Sequence, residues 1–141
     1  MAREGEGRLQ DFDLACSALR SAAEAGLPEA EYALSREYRT GQIVSKDGGE
    51  SIRWLASAAD KGYVPALLEL GKACEAGMDL PQDYVSAHMW YNLAATLASR
   101  AEGNEEAKAE AMLARDRLTR KMTREQVAEA QKRARDWLAA H

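Results

Sequence analysis

Histidine and cysteine, the residue types most typical of nucleophilic catalysis and zinc binding, are rare in this 141-residue chain. It has only two histidines and two cysteines, and Cys16 and Cys74 do not stand at metal-ligand spacing. His88 follows Ala87 on a predicted helix with no evident partner, so we expect a partly exposed surface histidine rather than a general base. Cys74 falls at an inward helical position, which predicts a buried, unreactive thiol. The sequence therefore predicts no catalytic residue, no metal site and no cofactor.

Two charge clusters are the remaining candidates for chemistry. Glu102, Glu105, Glu106 and Glu110 open a predicted helix, where the helix dipole favours negative charge, so we expect a solvated face. The stretch 115–135 holds eight Lys or Arg residues against three acidic ones. Such a basic segment is able to contact nucleic acid or an acidic partner, but it lacks interleaved aromatics. A solvated helical surface is the favoured interpretation of this stretch.

Composition and charge favour a globular protein that does not bind nucleic acid or membranes. Hydrophobic residues make up 46% of the chain, so it folds into a globular domain, while the net charge of −4 argues against binding nucleic acid. No apolar run approaches the roughly 20 residues that cross a bilayer. The first ten residues are polar and resemble no signal peptide. We expect a cytoplasmic protein that does not bind membranes, or an exported one if a leader was removed before this numbering begins.

The elements that position these residues repeat along the chain. Gly26 and Gly62, Leu34 and Leu70, and Trp54 and Trp90 are each separated by 36 residues, as are other pairs including Asp47 and Asp83. A fixed period between about 20 and 50 residues is typical of solenoids built from stacked helix pairs. The repeat is the strongest signal in this sequence.

Helix start and stop signals divide the chain further. Gly26, Gly41, Gly62 and Gly77 are expected to end helices, and Asp47 and Asp83 to cap the helices that follow them. A long helix is predicted from Glu105 to about Arg120, with Met112 facing inward, and Thr123 to Gln126 fits a capping box that opens a last helix. We predict a flexible tail over residues 1–10, a repeat array over 11–98 and a helical cap over 99–141.

The repeat resembles the Sel1-like repeat, a relative of the tetratricopeptide repeat. The matching residues of the first copy are Ala30, Leu34, Ser35, Tyr38, Gly41, Asp47, Ser51, Trp54, Ala58 and Ala59, and the second copy supplies Ala66, Leu70, Gly71, Gly77, Asp83, Ala87, Trp90, Ala94 and Ala95. The resemblance implies an all-α fold: a right-handed superhelical solenoid of about three antiparallel helix pairs with a C-terminal capping helix. Ser35 departs from the pattern by replacing a glycine, and Cys74 by replacing an aromatic residue.

The resemblance also implies a function and a site. Proteins with this repeat act as adaptors that bind partners on the concave face, which is formed by the first helix of each pair. We therefore predict a non-enzymatic adaptor that binds a protein or peptide, for which an acidic segment would be suited. The predicted binding residues are Glu31, Tyr32, Arg36, Arg39, Leu67, Leu68, Lys72 and Glu75.

Two alternatives stay open. The first is a self-associating structural module, a homodimer formed through the edge beside Phe12 and Leu14. The second is a hydrolase similar to the cysteine-rich relatives that bind or cleave β-lactams. Those relatives carry a disulfide in each repeat, and this chain has no such cysteine pair.

Overall fold

The computed structural model describes residues 14–41 and 46–141, and the described residues form seven helices with no strand. Helix α1 covers residues 14–24. The remaining helices are α2 Pro28–Thr40, α3 Gly48–Asp60, α4 Val64–Ala76, α5 Tyr84–Ala98, α6 Glu105–Thr119 and α7 Arg124–Ala140. The predicted tail, residues 1–10, and Phe12 lie outside the described residues. None of the described helices is both long and apolar enough to cross a membrane.

The predicted start and stop signals lie at the helix ends. Gly41 and Gly77 take left-handed φ values of 72° and 74°, a conformation that glycine adopts without steric cost from a Cβ. Asp47 and Asp83 cap α3 and α5, and each accepts a backbone N–H bond of 3.1 Å three residues on. Thr123 and Gln126 form the complete capping box at α7. The same local chemistry thus sets the helix ends in both copies of the repeat.

The chain divides into two compact units, residues 1–61 and 62–141. In the first unit α2 packs against α3. The backbone N–H of Asp47 donates to the carbonyl of Tyr38 at 2.9 Å, and the side chains of Ser35 and Ser51 meet about one turn further from the loop. This register makes the pair antiparallel. Leu34 is fully buried together with Ala23 and Ala30.

The second unit is built around α5, which packs against α4, α6 and α7. Asp83 and Cys74 repeat the backbone bond that joins the first pair, at 2.8 Å. Tyr91 is fully buried and lies against Gly71, where an added Cβ would stand 2.7 Å from the tyrosine ring. Helices α6 and α7 both contact α5 but barely contact each other. They consequently do not form a close pair like α4 and α5.

The fold bears on two sequence expectations, the orientation of Met112 and the division of the chain into segments. Met112 was expected to face inward, but it is 38% exposed, because the buried side of α6 is the Ala111, Ala114 and Leu118 side. The structure groups α6 and α7 with α4 and α5 in one compact unit. The division into tail, array and cap stays a prediction.

Candidate functional site

An open depression of about 380 Å³ lies on one side of α2. Its lining residues recur at intervals of one helical turn, which places them on a common face. They are Tyr32, Ala33, Arg36, Glu37 and Thr40. Two of the predicted binding residues, Tyr32 and Arg36, therefore lie in it. A cavity of this size falls in the range of sites that take small ligands or a few side chains of a partner.

The cation in this depression is Arg36. Its side chain is exposed, and its guanidinium lies 5.8 Å from the centre of the Tyr32 ring. A cation over the face of an aromatic ring is attracted by the ring's negative face. This stacking leaves the hydrogen-bonding edge of the guanidinium able to take a carboxylate from outside. Arg39, another predicted binding residue of α2, is half-buried and lies about one turn after Arg36.

Glu37 also lines the depression. Its Oε2 atom is buried and has no hydrogen-bond partner among the residues that the structure describes. A buried carboxylate oxygen is usually hydrogen-bonded, because leaving it unpaired costs free energy. Because this oxygen is covered, the face of α2 presents the guanidinium of Arg36 to a partner and not this acceptor. Sequence reasoning missed Glu37 and Thr40, although their spacing of four and eight residues from Ala33 and Tyr32 respectively was a usable signal.

Glu31 was predicted to lie on the binding surface, and this prediction was wrong. Its side chain is 2% exposed, and it accepts hydrogen bonds from the Ser57 hydroxyl and from the Lys61 ammonium, the latter at 2.6 Å. Both partners lie on or just after α3, so the carboxylate joins α2 to α3. Glu31 holds the helix pair together and is not available to a partner.

The predicted residues of α4 are also less available than expected. Leu67 and Leu68 are buried, at 0% and 6% exposure, so their assignment to a binding surface was wrong. Lys72 forms an ion pair of 2.7 Å with Glu110 of α6, and Glu75 accepts a bond of 2.7 Å from the Tyr91 hydroxyl. The physical reason is that eight of the thirteen residues of α4 are buried, against four of thirteen in α2.

His88 was expected at the surface, and this expectation was wrong too. The ring is 2% exposed, its Nε2 is 3.1 Å from the Thr119 hydroxyl, and its Nδ1 has no partner within the described ranges. Burial lowers the pKa of His88, and the positive charge of Arg115 lowers it further. Both effects favour the neutral imidazole, and burial of the ring keeps it from contacting a substrate in solvent.

The two other predictions about candidate chemistry are confirmed. Cys74 is buried, and burial raises the pKa of its thiol to about 11, so it is not a nucleophile near neutral pH. The four glutamates of the acidic cluster are exposed. No group of three His, Cys, Asp or Glu residues able to hold a metal ion occurs in the part of the chain that the structure describes.

Comparison with known proteins identifies the repeat. The Sel1 repeat family matches residues 28–63 and 64–99, which is more than half of the chain. The chain belongs to the Sel1 repeat family. Each matched copy contains one of the helix pairs, α2 with α3 and α4 with α5.

Solved structures support the same assignment. The chain resembles the crystal structure of c5321, a protective antigen present in uropathogenic Escherichia coli strains that displays an SLR fold. The TM-score is 0.77 at 25% identity over 89% of this chain and 25% of that one. A Sel1 repeat protein from Oxalobacter formigenes gives a TM-score of 0.54 at 26% identity over 86% of this chain and 97% of that one. The predicted all-α solenoid class is confirmed.

Similar sequences occur in much longer proteins. The uncharacterized protein NMB1327 of Neisseria meningitidis is 36% identical over 89 residues, 63% of this chain and 18% of its own length. Chitin synthase regulatory factor 3 of Schizosaccharomyces pombe is 42% identical over 76 residues, 52% of this chain and 8% of its own length. The chain thus spans less than a fifth of either relative.

Proposed function

We propose that this Sel1 repeat protein is a non-enzymatic adaptor that docks a peptide or protein segment on the exposed face of α2. Sel1 repeats generally serve as protein-interaction modules. The observation that carries the proposal is the depression on α2, in which the exposed guanidinium of Arg36 lies over the Tyr32 ring.

The chemistry of the depression specifies what the bound segment must provide. A carboxylate of the partner would bind the guanidinium edge of Arg36. The ring of Tyr32 gives an apolar surface beside this guanidinium. An extended or helical segment with an acidic residue next to an apolar one fits these requirements. This agrees with the acidic partner expected from the sequence.

Site-specific crosslinking in extract of the native cell tests the site. A photo-reactive amino acid at Thr40, which is exposed at the rim of the depression, should give a discrete adduct. Arg36→Glu should remove that adduct, because it turns the attraction for a carboxylate into repulsion. The same photo-reactive group at Ala56, exposed on α3, is the matched control and should give no adduct of that mass. Adducts that are equal at both positions, or unaffected by Arg36→Glu, would exclude this site.

Self-association is the second candidate, and exposed apolar side chains favour it. Leu14 of α1 is 69% exposed and Leu27 before α2 is 52% exposed, both in the first unit. A second copy covering them would bury apolar surface at about 25 cal/mol per Å². Light scattering across a range of concentrations decides the question. A dimer that Leu14→Glu and Leu27→Glu dissociate would support this candidate, and a monomer at every concentration would reject it.

A further inference from the structure

A second open site lies in the unit of residues 62–141, at the junction of α6 and α7. It is a depression of about 340 Å³, here called the cap groove. It exists because α6 and α7 each pack against α5 while making little contact with each other. Its lining residues are Thr119, Met122, Thr123, Arg124, Val127, Ala128 and Gln131.

The floor of the cap groove is apolar and partly open to solvent. Met122 and Val127 are half-buried, and Ala128 is exposed. The lining residues of α7 run from Arg124 to Gln131, which is about two helical turns. A groove of this length suits a helix better than a single side chain.

The rim of the cap groove is basic, and most of its cations form no ion pair with another described residue. Of the eight cations between 115 and 135, Arg115, Arg117 and Arg133 each lie within 4 Å of a carboxylate oxygen. The other five are exposed and have no ion-pair partner among the described residues; they are Arg120, Lys121, Arg124, Lys132 and Arg135.

The helical register brings these unpaired cations to the groove. Counting from Arg124 along α7, Ala128 follows at four residues, Lys132 at eight and Arg135 at eleven. Such spacing keeps them on one face, the face that carries the groove-lining Ala128 and Gln131. Arg120 and Lys121 stand in the turn that leads into the groove. Exposed basic side chains of the turn and of α7 consequently lie beside the apolar residues of the groove.

We propose that the cap groove binds an acidic amphipathic helix of a partner protein. The partner's apolar side chains would cover Met122, Val127 and Ala128, and its carboxylates would pair with Arg120, Arg124 and Lys132. Charge complementarity selects this occupant over a basic or neutral helix. Nucleic acid fits less well, because no aromatic side chain lines the groove for base stacking and the chain carries a net charge of −4.

Defined peptides test the proposal on the 141-residue chain. The probe is a fluorescein-labelled helix of about five turns, with leucines at positions i, i+3, i+4 and i+7 and glutamates on the remaining faces. Fluorescence anisotropy should show saturable binding. Replacing the glutamates by lysines should abolish binding, and so should a scrambled peptide of the same composition. Raising NaCl from about 50 mM to about 500 mM should weaken binding, because exposed charges are screened.

Variants of the protein locate the site. Arg120→Glu with Arg124→Glu should weaken binding of the acidic peptide by at least about tenfold. Arg100→Glu with Lys108→Glu makes the same charge change elsewhere in the unit and should leave binding unchanged. Ala128→Glu should also remove binding, and because Ala128 is exposed and glutamate is a good helix former, α7 stays folded. Circular dichroism of each variant checks this.

Four results would overturn the proposal. They are absence of saturable binding by the acidic peptide, equal binding of the lysine peptide, equal loss in the Arg100 and Lys108 control, and tighter binding of a labelled oligonucleotide than of the peptide. A dimer that Ala128→Glu dissociates would instead assign the groove to a second copy of this chain. Arg36→Glu on α2 should not affect the peptide, which separates this site from the one proposed on α2.

Discussion

Burial decides the chemistry of individual side chains in this protein. His88 is of a type that often acts in catalysis, yet it is enclosed between α5 and the end of α6. Its Nδ1 atom has no partner in the described part of the chain. An imidazole in this position is neutral, and charging it would place a cation in an apolar interior near Arg115. His88 is consequently a determinant of stability.

The lowered pKa of His88 predicts acid sensitivity of the fold. Unfolded histidine titrates near 6.5, so between that pH and the lower folded pKa the unfolded state binds more protons. The free energy of unfolding should therefore fall as pH decreases from about 7 to about 5. His88→Gln removes the titrating group and should flatten this dependence. Urea unfolding at a series of pH values measures it.

The other histidine supplies the control for this prediction. His141→Gln leaves His88 in place, so its acid-dependent loss of stability should match that of the parent protein above about pH 5. Below about pH 5 the titration of carboxylates also changes the free energy of unfolding, so the comparison is restricted to higher pH. An unchanged pH dependence in His88→Gln would show that His88 does not titrate in the way that its burial requires.

Residue-level predictions from the sequence succeeded where the cause is local and failed where it is not. Asp47, Gly77 and Thr123 act through backbone groups only a few residues away, so their roles as caps were predictable. Glu31 is buried by Ser57 and Lys61, about thirty residues further along the chain. Helical periodicity indicates which face of a helix is apolar. It does not indicate whether a polar residue beside that face meets a partner.

At the scale of helix pairs, the two repeats share a backbone frame and differ at the contact between helices. Asp47 with Tyr38 and Asp83 with Cys74 make equivalent backbone bonds. In the first pair, Ser35 and Ser51 exchange hydrogen bonds, with each hydroxyl donating to the other residue's carbonyl at 2.6 and 2.8 Å. In the second pair, the equivalent of Ser35 is Gly71, which makes room for the Tyr91 ring. The glycine and the tyrosine are thus required together.

This coupling can be measured with two substitutions. Gly71→Ala should lower the free energy of unfolding by about 1–3 kcal/mol, because the new Cβ would stand 2.7 Å from the ring of a fully buried tyrosine. Tyr91→Leu installs the residue type found at the equivalent Leu55, and in that background Gly71→Ala should be much less destabilising. Urea unfolding of the four proteins gives the interaction energy.

Gly49→Ala is the matched control for the same helix-pair prediction. Gly49 lies in α3, and an added Cβ there meets only the Asp47 side chain, at 3.4 Å. Since alanine is the better helix former, this substitution should stabilise the protein by about 0.5–1 kcal/mol. If Gly71→Ala behaved like Gly49→Ala, the proposed steric coupling between Gly71 and Tyr91 would be refuted.

For the molecule as a whole, the packing of α5 against three other helices predicts that residues 62–141 fold independently. Stability in repeat proteins is approximately a sum of terms within repeats and between neighbours, so a piece that keeps complete pairs retains most of them. The isolated fragment should be helical by circular dichroism and should unfold cooperatively on heating.

A longer fragment, which begins at residue 48 instead of residue 62, serves as the comparison. Residues 48–141 add α3 without α2, so the α3 face that packs on α2 would be left uncovered. That fragment should gain little helix signal over residues 62–141. A fragment 62–141 without helical signal would contradict the prediction and would show that the second unit depends on the first.

The period of 36 residues was sufficient to predict the family and the helix pairs, and the Sel1 match confirmed both. It was not sufficient for the binding surface. The repeat pattern treats α2 and α4 as equivalent, whereas α4 contacts both α5 and α6 and buries twice as many residues. The number of neighbours around a helix is a property of the assembled fold. The sequence therefore did not indicate that Leu67 and Leu68 of α4 are buried.

The difference between Ser35 and Gly71 also bears on how a repetitive chain avoids confusing its own parts. If α2 paired with α5 during folding, the Ser35 side chain would occupy the space that the Tyr91 ring needs. If α4 paired with α3, the Ser51 hydroxyl would lose its serine partner, and no aromatic ring would fill the space beside Gly71. Each helix therefore packs less well against a helix of the other repeat than against its own partner. This difference disfavours incorrect helix pairing during folding, although the two repeats have similar sequences.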